Sequence, residues 1–268
     1  MATFSWTNQH VLLTGAAGGL GRCIAQQLSA AGAKVLLVGR NSSSLEALAQ
    51  QLQQSYLQAD ITTTAGQQAL LDYVLHWRTT QTPVTGLINN AGINHAGLFS
   101  QQSTTAIAEV IQTNLLAPMQ LSALILPYLP HQRGWLMNLG SVFGSIGFPG
   151  QTLYCASKYG LRGFTEALQR ELPAQQITVM YCAPRAIDTN FNSPLTVAMN
   201  QACGSTADAP EWVARKVLQQ IARGKSKQVL GWPERFFAWL NGFIPSLVAN
   251  SMRSPRQHLY RLTKELSK

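Results

Sequence analysis

The sequence predicts an α/β protein: a parallel sheet covered by helices on both faces, followed by a helical C-terminal extension. Three observations carry this. Short apolar runs alternate six times with stretches of helical periodicity through short connections, the pattern of parallel strands joined by crossover helices. The first alternation passes through a glycine-rich turn, Gly15-Ala-Ala-Gly18-Gly19-Leu20-Gly21. Further on, Tyr154 and Lys158 stand four residues apart on an expected helix and so share a face. Right-handed crossovers place the carboxyl ends of the strands, and the loops that follow them, along one edge.

Composition fits a single globular unit. At 268 residues the chain can bury a full core, and 46% hydrophobic against 12% charged residues excludes a disordered tail or linker protein. No basic stretch followed by an apolar run opens the chain, so no signal peptide is expected. Cys23, Cys155, Cys182 and Cys203 have neither metal nor disulfide spacing and read as reduced core residues, which points to the cytoplasm. The formal charge of +9 is local: residues 1–214 carry nine basic and nine acidic side chains, whereas residues 215–268 carry eleven basic and two acidic. That asymmetry calls for a local explanation.

The elements follow in order. His10 to Thr14 is an apolar strand that runs into the glycine turn, with a helix from Arg22 to Ala31. Strand, glycine turn and helix together aim backbone N–H groups at a pyrophosphate. A second strand, Lys34 to Val38, ends at Gly39-Arg40. An acidic residue there would accept ribose hydroxyls, whereas Arg40 would pair with a 2′-phosphate, which favours NADP(H). Ser42 to Gln53 is a helix and Ser55 to Ala59 a third strand. Asp60, at that strand's end, either meets an adenine or caps the next helix, Thr64 to Trp77. Val84 to Ile88 is a fourth strand, ending in Asn89-Asn90-Ala91-Gly92. A long helical stretch runs from Thr104 to Leu129. It contains Asn114, and Pro118 four residues later removes a backbone hydrogen bond. Asn114 either holds a water at that defect or is structural.

Trp135 to Leu139 is the fifth strand and feeds Gly140-Ser141; Gln151 to Leu172 is the helix of Tyr154 and Lys158. An ammonium beside a phenol favours the phenolate and lowers its pKa, which makes Tyr154 a general acid/base. Ser141 is placed to donate to a substrate oxygen. Ile177 to Cys182 is the sixth strand, followed by Ala183-Pro184-Arg185-Ala186-Ile187-Asp188-Thr189. Residues 190–209 read as a turn-rich lid, Pro210 to Arg223 as a helix, and Gln228 to Gly231 as a short seventh strand. The expected division is a main domain over 1–231 and a basic, aromatic-rich extension over 232–268. In that extension Phe236, Leu240, Phe243 and Leu247 share a face at helical spacing, beside Phe237, Ile244 and Val248. The face is expected to dock on a membrane surface or an apolar partner, or else to pack on its own subunit or a dimer interface. Asn241, Gly242 and Pro245 interrupt the run, which makes it a poor candidate for a spanning helix.

Taken together, the ordered set resembles the short-chain dehydrogenase/reductase family. The set is Thr14-Gly15-x-x-x-Gly19-x-Gly21, Asp60, Asn89-Asn90-Ala91-Gly92, Asn114, Ser141, Tyr154-x-x-x-Lys158 and Pro184 to Thr189. The resemblance implies a Rossmann-like, doubly wound parallel sheet in the order 3-2-1-4-5-6-7. It also implies hydride transfer between a nicotinamide and a carbonyl or alcohol, by a homodimer or homotetramer. Tyr154 would be the acid/base, and Lys158 would lower its pKa and bind the nicotinamide ribose. Ser141 would polarise the carbonyl, and Asn114 would order a water in a proton relay. The cofactor would lie along Thr14, Gly15, Gly19, Leu20 and Gly21, then Arg40, Asp60, Asn90, Ala91 and Gly92, and reach Pro184 and Thr189. Two positions depart from the family's pattern. Gly140 replaces the first of a usual serine pair, and Arg185 replaces a glycine near the nicotinamide; its side chain either points to solvent or brings a cation to the pocket.

The functional expectation is an NADP(H)-dependent reductase of an apolar ketone or aldehyde. A redox-sensing or scaffolding protein that keeps only the cofactor site is the alternative, and the complete Asn114, Ser141, Tyr154 and Lys158 set argues against it. No nucleic-acid partner is expected, because the basic residues flank an apolar run without a recognition motif. No metal site is expected either.

Overall fold

The computed structural model describes residues 4–80, 83–173 and 176–266; Lys268, one of the basic residues of the extension, lies outside them. Seven strands form one sheet: β1 (His10–Thr14), β2 (Lys34–Gly39), β3 (Ser55–Gln58), β4 (Gly86–Asn89), β5 (Gly134–Leu139), β6 (Ile177–Ala183) and β7 (Lys227–Val229). All neighbours are parallel, in the order β3-β2-β1-β4-β5-β6-β7. The winding direction reverses between β1 and β4, and a crevice opens beyond the carboxyl ends there. Around the sheet lie α1 (Gly19–Ala30), α2 (Ser42–Leu52), α3 (Thr64–Thr80), α4 (Thr104–Ile111), α5 (Ala117–Ile125), α6 (Thr152–Glu171), α7 (Pro194–Ala202) and α8 (Pro210–Ala222). The extension folds as α9 (Glu234–Phe243), α10 (Pro245–Ser251) and α11 (Arg253–Leu266).

Every residue of β1, β4 and β5 is buried, which is why these strands read as unbroken apolar runs rather than alternating ones. Successive side chains still divide between the two faces. Leu13 and Leu37 join Ile24, Leu45 and Val217 under α1, α2 and α8. Leu12 and Leu36 join Leu70, Leu121 and Ile125 under α3 and α5. Polar side chains link β4, β5 and α6: Asn89 donates to Asn138 at 2.9 Å, and Asn138 donates to Thr165 at 2.9 Å.

Several boundaries differ from expectation. The glycine turn winds directly into α1, so the helix begins at Gly19 rather than Arg22. The stretch from Thr104 is interrupted by one wide turn, Gln112–Leu116, in which the Ala117 N–H reaches back five residues to Gln112. Pro118 supplies the cause, because it has no N–H for the regular ladder. The loop expected over 190–209 contains α7, which is started by the Ser193 side chain accepting from Thr196 N–H. The apolar face expected from Phe236 to Leu247 is split, because α9 stops at Phe243 and α10 restarts at Pro245. Phe237 and Leu240 turn partly inward and Val248 is buried, while Phe236, Phe243 and Leu247 remain exposed. The last helix, α11, packs on α7, and its Leu259 is buried against Gly150.

Candidate active site

A cleft of about 300 Å³ runs along the carboxyl edge of the sheet, from the ends of β2 and β3 to the start of α6. Its floor is the glycine turn. Gly15 has φ +65°, and a Cβ there would lie 2.8 Å from the Cα of Ala91. Thr189, after β6, lies over Gly19 so closely that a Cβ at 19 would sit 2.5 Å from its methyl carbon. The backbone of Gly19, Leu20 and Gly21 therefore faces the cleft as the first turn of α1, whose N–H groups have no partner inside the helix. That is the donor set a pyrophosphate needs, so these residues fit a dinucleotide.

Thr14 itself does not line the cleft. It is fully buried, and its hydroxyl accepts from the Asn90 N–H at 3.0 Å and the Ala91 N–H at 3.1 Å. Asn90 returns the tie by donating to the carbonyls of Thr14 and Gly15 at 2.9 and 3.2 Å. Together they lock the loops after β1 and β4, with Ala91 and Gly92 in the cleft wall.

Arg40 and Asp60 close the far end of the cleft. Asp60 lines the cleft, and it does not cap α3: its carboxylate accepts from the Thr62 N–H and hydroxyl at 2.9 and 2.7 Å, while the Thr63 hydroxyl takes the Gly66 N–H of that helix at 3.1 Å. Burial pushes the Asp60 pKa up, but the two Thr62 hydrogen bonds and the Arg40 charge outweigh this and hold it below the usual value.

Asn114 sits in the wide turn, fully buried behind the cleft wall. Its carboxamide accepts from the Ile93 N–H at 2.8 Å and donates to the Ile93 carbonyl at 2.8 Å and to Ser157 at 3.1 Å. The side chain thus clamps the loop after β4 to α6.

At the other end stand Ser141, Tyr154 and Lys158. Ser141 is held from below by Tyr181, a buried residue of β6 whose hydroxyl lies 3.4 Å from both the Ser141 nitrogen and its carbonyl oxygen. The Ser141 hydroxyl also accepts from the Phe143 N–H at 3.2 Å. Burial pushes the Tyr154 phenol above the ordinary tyrosine range, and its hydrogen bond with Ser141 offsets only part of that. The expected lowering by Lys158 is not found here. The ammonium lies 5.5 Å from the centre of the Tyr154 ring and donates instead to the Leu139 carbonyl at 2.9 Å. Burial alone pushes Lys158 down to about 8.

Pro184 and Thr189 line the cleft. Arg185 corrects one of the two expectations made for it: it lines the cleft, with its side chain largely buried. Its guanidinium neither points to solvent nor carries an uncompensated charge: it meets Asp208 at 2.8 Å and Glu234 at 3.4 Å and donates to the Trp232 carbonyl at 3.2 Å. The two carboxylates and hydrogen bonding to them raise its pKa further.

Sequence reasoning missed other walls of the site. Phe143 and Phe191 lie against Tyr154 with ring centres 6.4 and 5.9 Å away, and Phe148 stacks on Phe143. Asn94, Gln151 and Thr196 form a hydrogen-bonded chain along the cleft, with Asn94 donating to Gln151 at 2.7 Å. Gln151 could have been flagged by its place one turn before Tyr154; Phe191 and Thr196 carry no local signal. Among the described residues, no group of histidine, cysteine, aspartate and glutamate could hold a metal ion.

The family model for short chain dehydrogenases matches residues 9–200. A 3-oxoacyl-[acyl-carrier-protein] reductase of Haemophilus influenzae is 35% identical over 188 residues, covering 69% of this chain and 76% of the relative. A short chain dehydrogenase/reductase from Burkholderia phymatum, solved in complex with NAD, superimposes with a TM-score of 0.81 at 20% identity over 92% of this chain and 96% of that one. A short-chain dehydrogenase from Sphingobium yanoikuyae, solved in complex with NADPH, gives 0.72 at 26% identity over 90% and 95%.

Proposed function

The chain belongs to the short-chain dehydrogenase/reductase family of hydride-transferring oxidoreductases, and within it we propose an NADP(H)-dependent reductase of apolar ketones or aldehydes. One observation carries this reading. The cleft has a cation, Arg40, where β2 ends and a serine–tyrosine donor pair, Ser141 and Tyr154, at its opposite end. The residue at 39 is glycine, so no carboxylate at 39 or 40 repels a 2′-phosphate. Relatives of similar fold are solved with either NAD or NADPH, so the preference rests on Arg40.

The nicotinamide, when bound, exchanges hydride with the substrate carbon. This chain's residues manage the oxygen. As the carbonyl gains alkoxide character, the hydroxyls of Ser141 and Tyr154 donate to it from fixed positions. In reduction the proton passes from the Tyr154 hydroxyl to that oxygen. A phenol raised by burial keeps its proton at neutral pH, which suits the acid role. With its pKa near 8, Lys158 is mainly an ammonium at neutral pH, and it offsets the charge left on Tyr154. Asn114 acts through Ile93 by holding the cleft wall in place. Phe143 and Phe191 line the cleft beside Tyr154, which supports an apolar carbonyl compound. The similarity to a 3-oxoacyl-[acyl-carrier-protein] reductase supports a carbonyl substrate.

The working form we propose is a cytoplasmic homodimer or homotetramer. Four reduced cysteines support the compartment, and exposed Leu116 and Met119 beside and on α5 support a subunit contact. Residues 1–231 would hold cofactor and substrate, with 190–209 as the lid.

The test is a panel of aldehydes and ketones of increasing chain length, followed by NADPH absorbance. Turnover should rise with apolar length, and Tyr154→Phe should cut it at least ~10²-fold while cofactor binding persists. No turnover across the panel, or an active Tyr154→Phe variant, would overturn the reading.

A further inference from the structure

The extension leaves an unusual surface. Trp232, Phe236, Trp239 and Phe243 form a ladder along one side of α9, with successive ring centres 5.8, 6.0 and 5.0 Å apart. Trp232 and Phe243 are each 70% exposed, Trp239 59% and Leu247, on α10, 54%. Ile244 at the junction of the two helices is exposed as well. Large apolar side chains gathered in one exposed patch mark a contact surface rather than ordinary surface scatter.

The helices are nevertheless anchored. Phe237 and Leu240 are partly buried beneath α9, Val248 is buried beneath α10, and Asn241 donates to the Ser145 carbonyl at 2.9 Å. The ladder is thus held outward by a docked helix and is not itself a failed core.

Charge decides between occupants. Arg235 is exposed beside the ladder, one turn from both Trp232 and Trp239. On α11, exposed Arg253, Arg256, Tyr260 and Lys264 follow one another at helical spacing, while Leu259 and Leu262 take the inward side. From Arg235 to Lys264 the sequence has no acidic residue. A second copy docked face to face would oppose these cations to their own equivalents, whereas an anionic lipid surface complements them. Tryptophans at the boundary and flanking arginines also match the layered chemistry of a lipid interface.

We propose that α9 and α10, flanked by the basic side of α11, form a docking surface for an anionic lipid bilayer. The rings enter the headgroup layer and the arginines meet the lipid phosphates. The surface is tied to the cleft by the Trp232 carbonyl on Arg185, by Asn241 on the loop after Ser141, and by α11 on α7. Docking itself requires none of the proposed chemistry.

The test uses the full chain in co-sedimentation with vesicles of phosphatidylcholine alone and of phosphatidylcholine mixed with phosphatidylglycerol, at low and high salt. The wild type should partition at least about tenfold more onto the anionic vesicles, and salt should weaken this. Two variants separate the contributions: Trp239→Ser with Phe243→Ser, and Arg235→Glu with Arg253→Glu and Arg256→Glu. Each should lose anionic-vesicle binding with an unchanged melting temperature and unchanged reduction of a water-soluble aldehyde. Absent wild-type binding to anionic vesicles would overturn the proposal, as would variants that bind like the wild type. If the wild type ignores vesicles and Trp239→Ser with Phe243→Ser reduces the oligomer's size, the surface joins copies of the chain and the proposal fails.

Discussion

Gly140 and Tyr181 occupy adjoining space: a Cβ placed on Gly140 would run into the phenol carbon and oxygen of Tyr181. The serine pair usual in the family therefore cannot stand here, and the departure is a packing exchange between β5's end and β6. In return the Tyr181 hydroxyl braces the backbone of Ser141. Gly140→Ser should destabilise the protein by about 1–3 kcal/mol through overpacking. Much of that loss should disappear in a Tyr181→Val background, which a double-mutant cycle in denaturant melts would read as a coupling between the two sites. Simple additivity would show that the two do not share this space.

Arg185 is a strut between the loop after β6, Asp208 and the start of α9. It lies across Gly231, whose φ is +91° and where a Cβ would stand 2.5 Å from the Arg185 Cδ. Arg185→Gly should leave two largely buried carboxylates without their cation and cost about 3 kcal/mol, the low end for breaking a buried pair. Its charge is already compensated, so the ratio of kcat/KM for anionic and neutral carbonyl compounds should stay the same. A shift in that ratio without loss of stability would mean that Arg185 acts on the substrate rather than as a strut.

Arg40→Asp should weaken NADPH binding by roughly tenfold to a hundredfold, the scale of a lost hydrogen bond to a charged group, and improve NAD(H) relative to it. Direct titration of the two cofactors checks this. Equal affinities in the unchanged protein would remove the case for NADP(H).

Lys158 carries a pH signature in stability. Its folded value of about 8 lies below the ordinary lysine value of 10.5, so between these limits the unfolded chain binds more protons and stability rises with pH. Below about 8 both states hold the proton and the burial cost is fully present. Lys158→Met should therefore be the more stable protein near neutrality, by a margin on the order of a few kcal/mol. That margin should shrink as pH climbs from about 8 to about 10.5. Melting curves across this range that stay parallel would mean that the lysine is not desolvated as the structure shows.

The sequence by itself determined the sheet and the place of the chemistry. Runs such as His10 to Thr14 and Trp135 to Leu139 are apolar on both faces only because helices cover both, and that fixes parallel strands with every functional loop on one edge. Hence Gly19, Arg40, Asp60, Ser141, Tyr154, Lys158 and Thr189 meet in one cleft. What each group does there was settled by tertiary structure, because the deciding partners are remote in the chain or act through desolvation. Arg185 finds Asp208 and Glu234, 23 and 49 residues away. Thr14 turns from the cofactor to the loop after β4, and Asn114 spends its carboxamide on Ile93. Helical spacing brought Lys158 near Tyr154, but burial of both side chains and a carbonyl at Leu139 set their pKa values and the direction of the ammonium. The periodicity of the extension was equally legible. Which of its aromatic residues face inward depended on a helix break at Ile244 and on where α9 could dock, and those are properties of the folded surface.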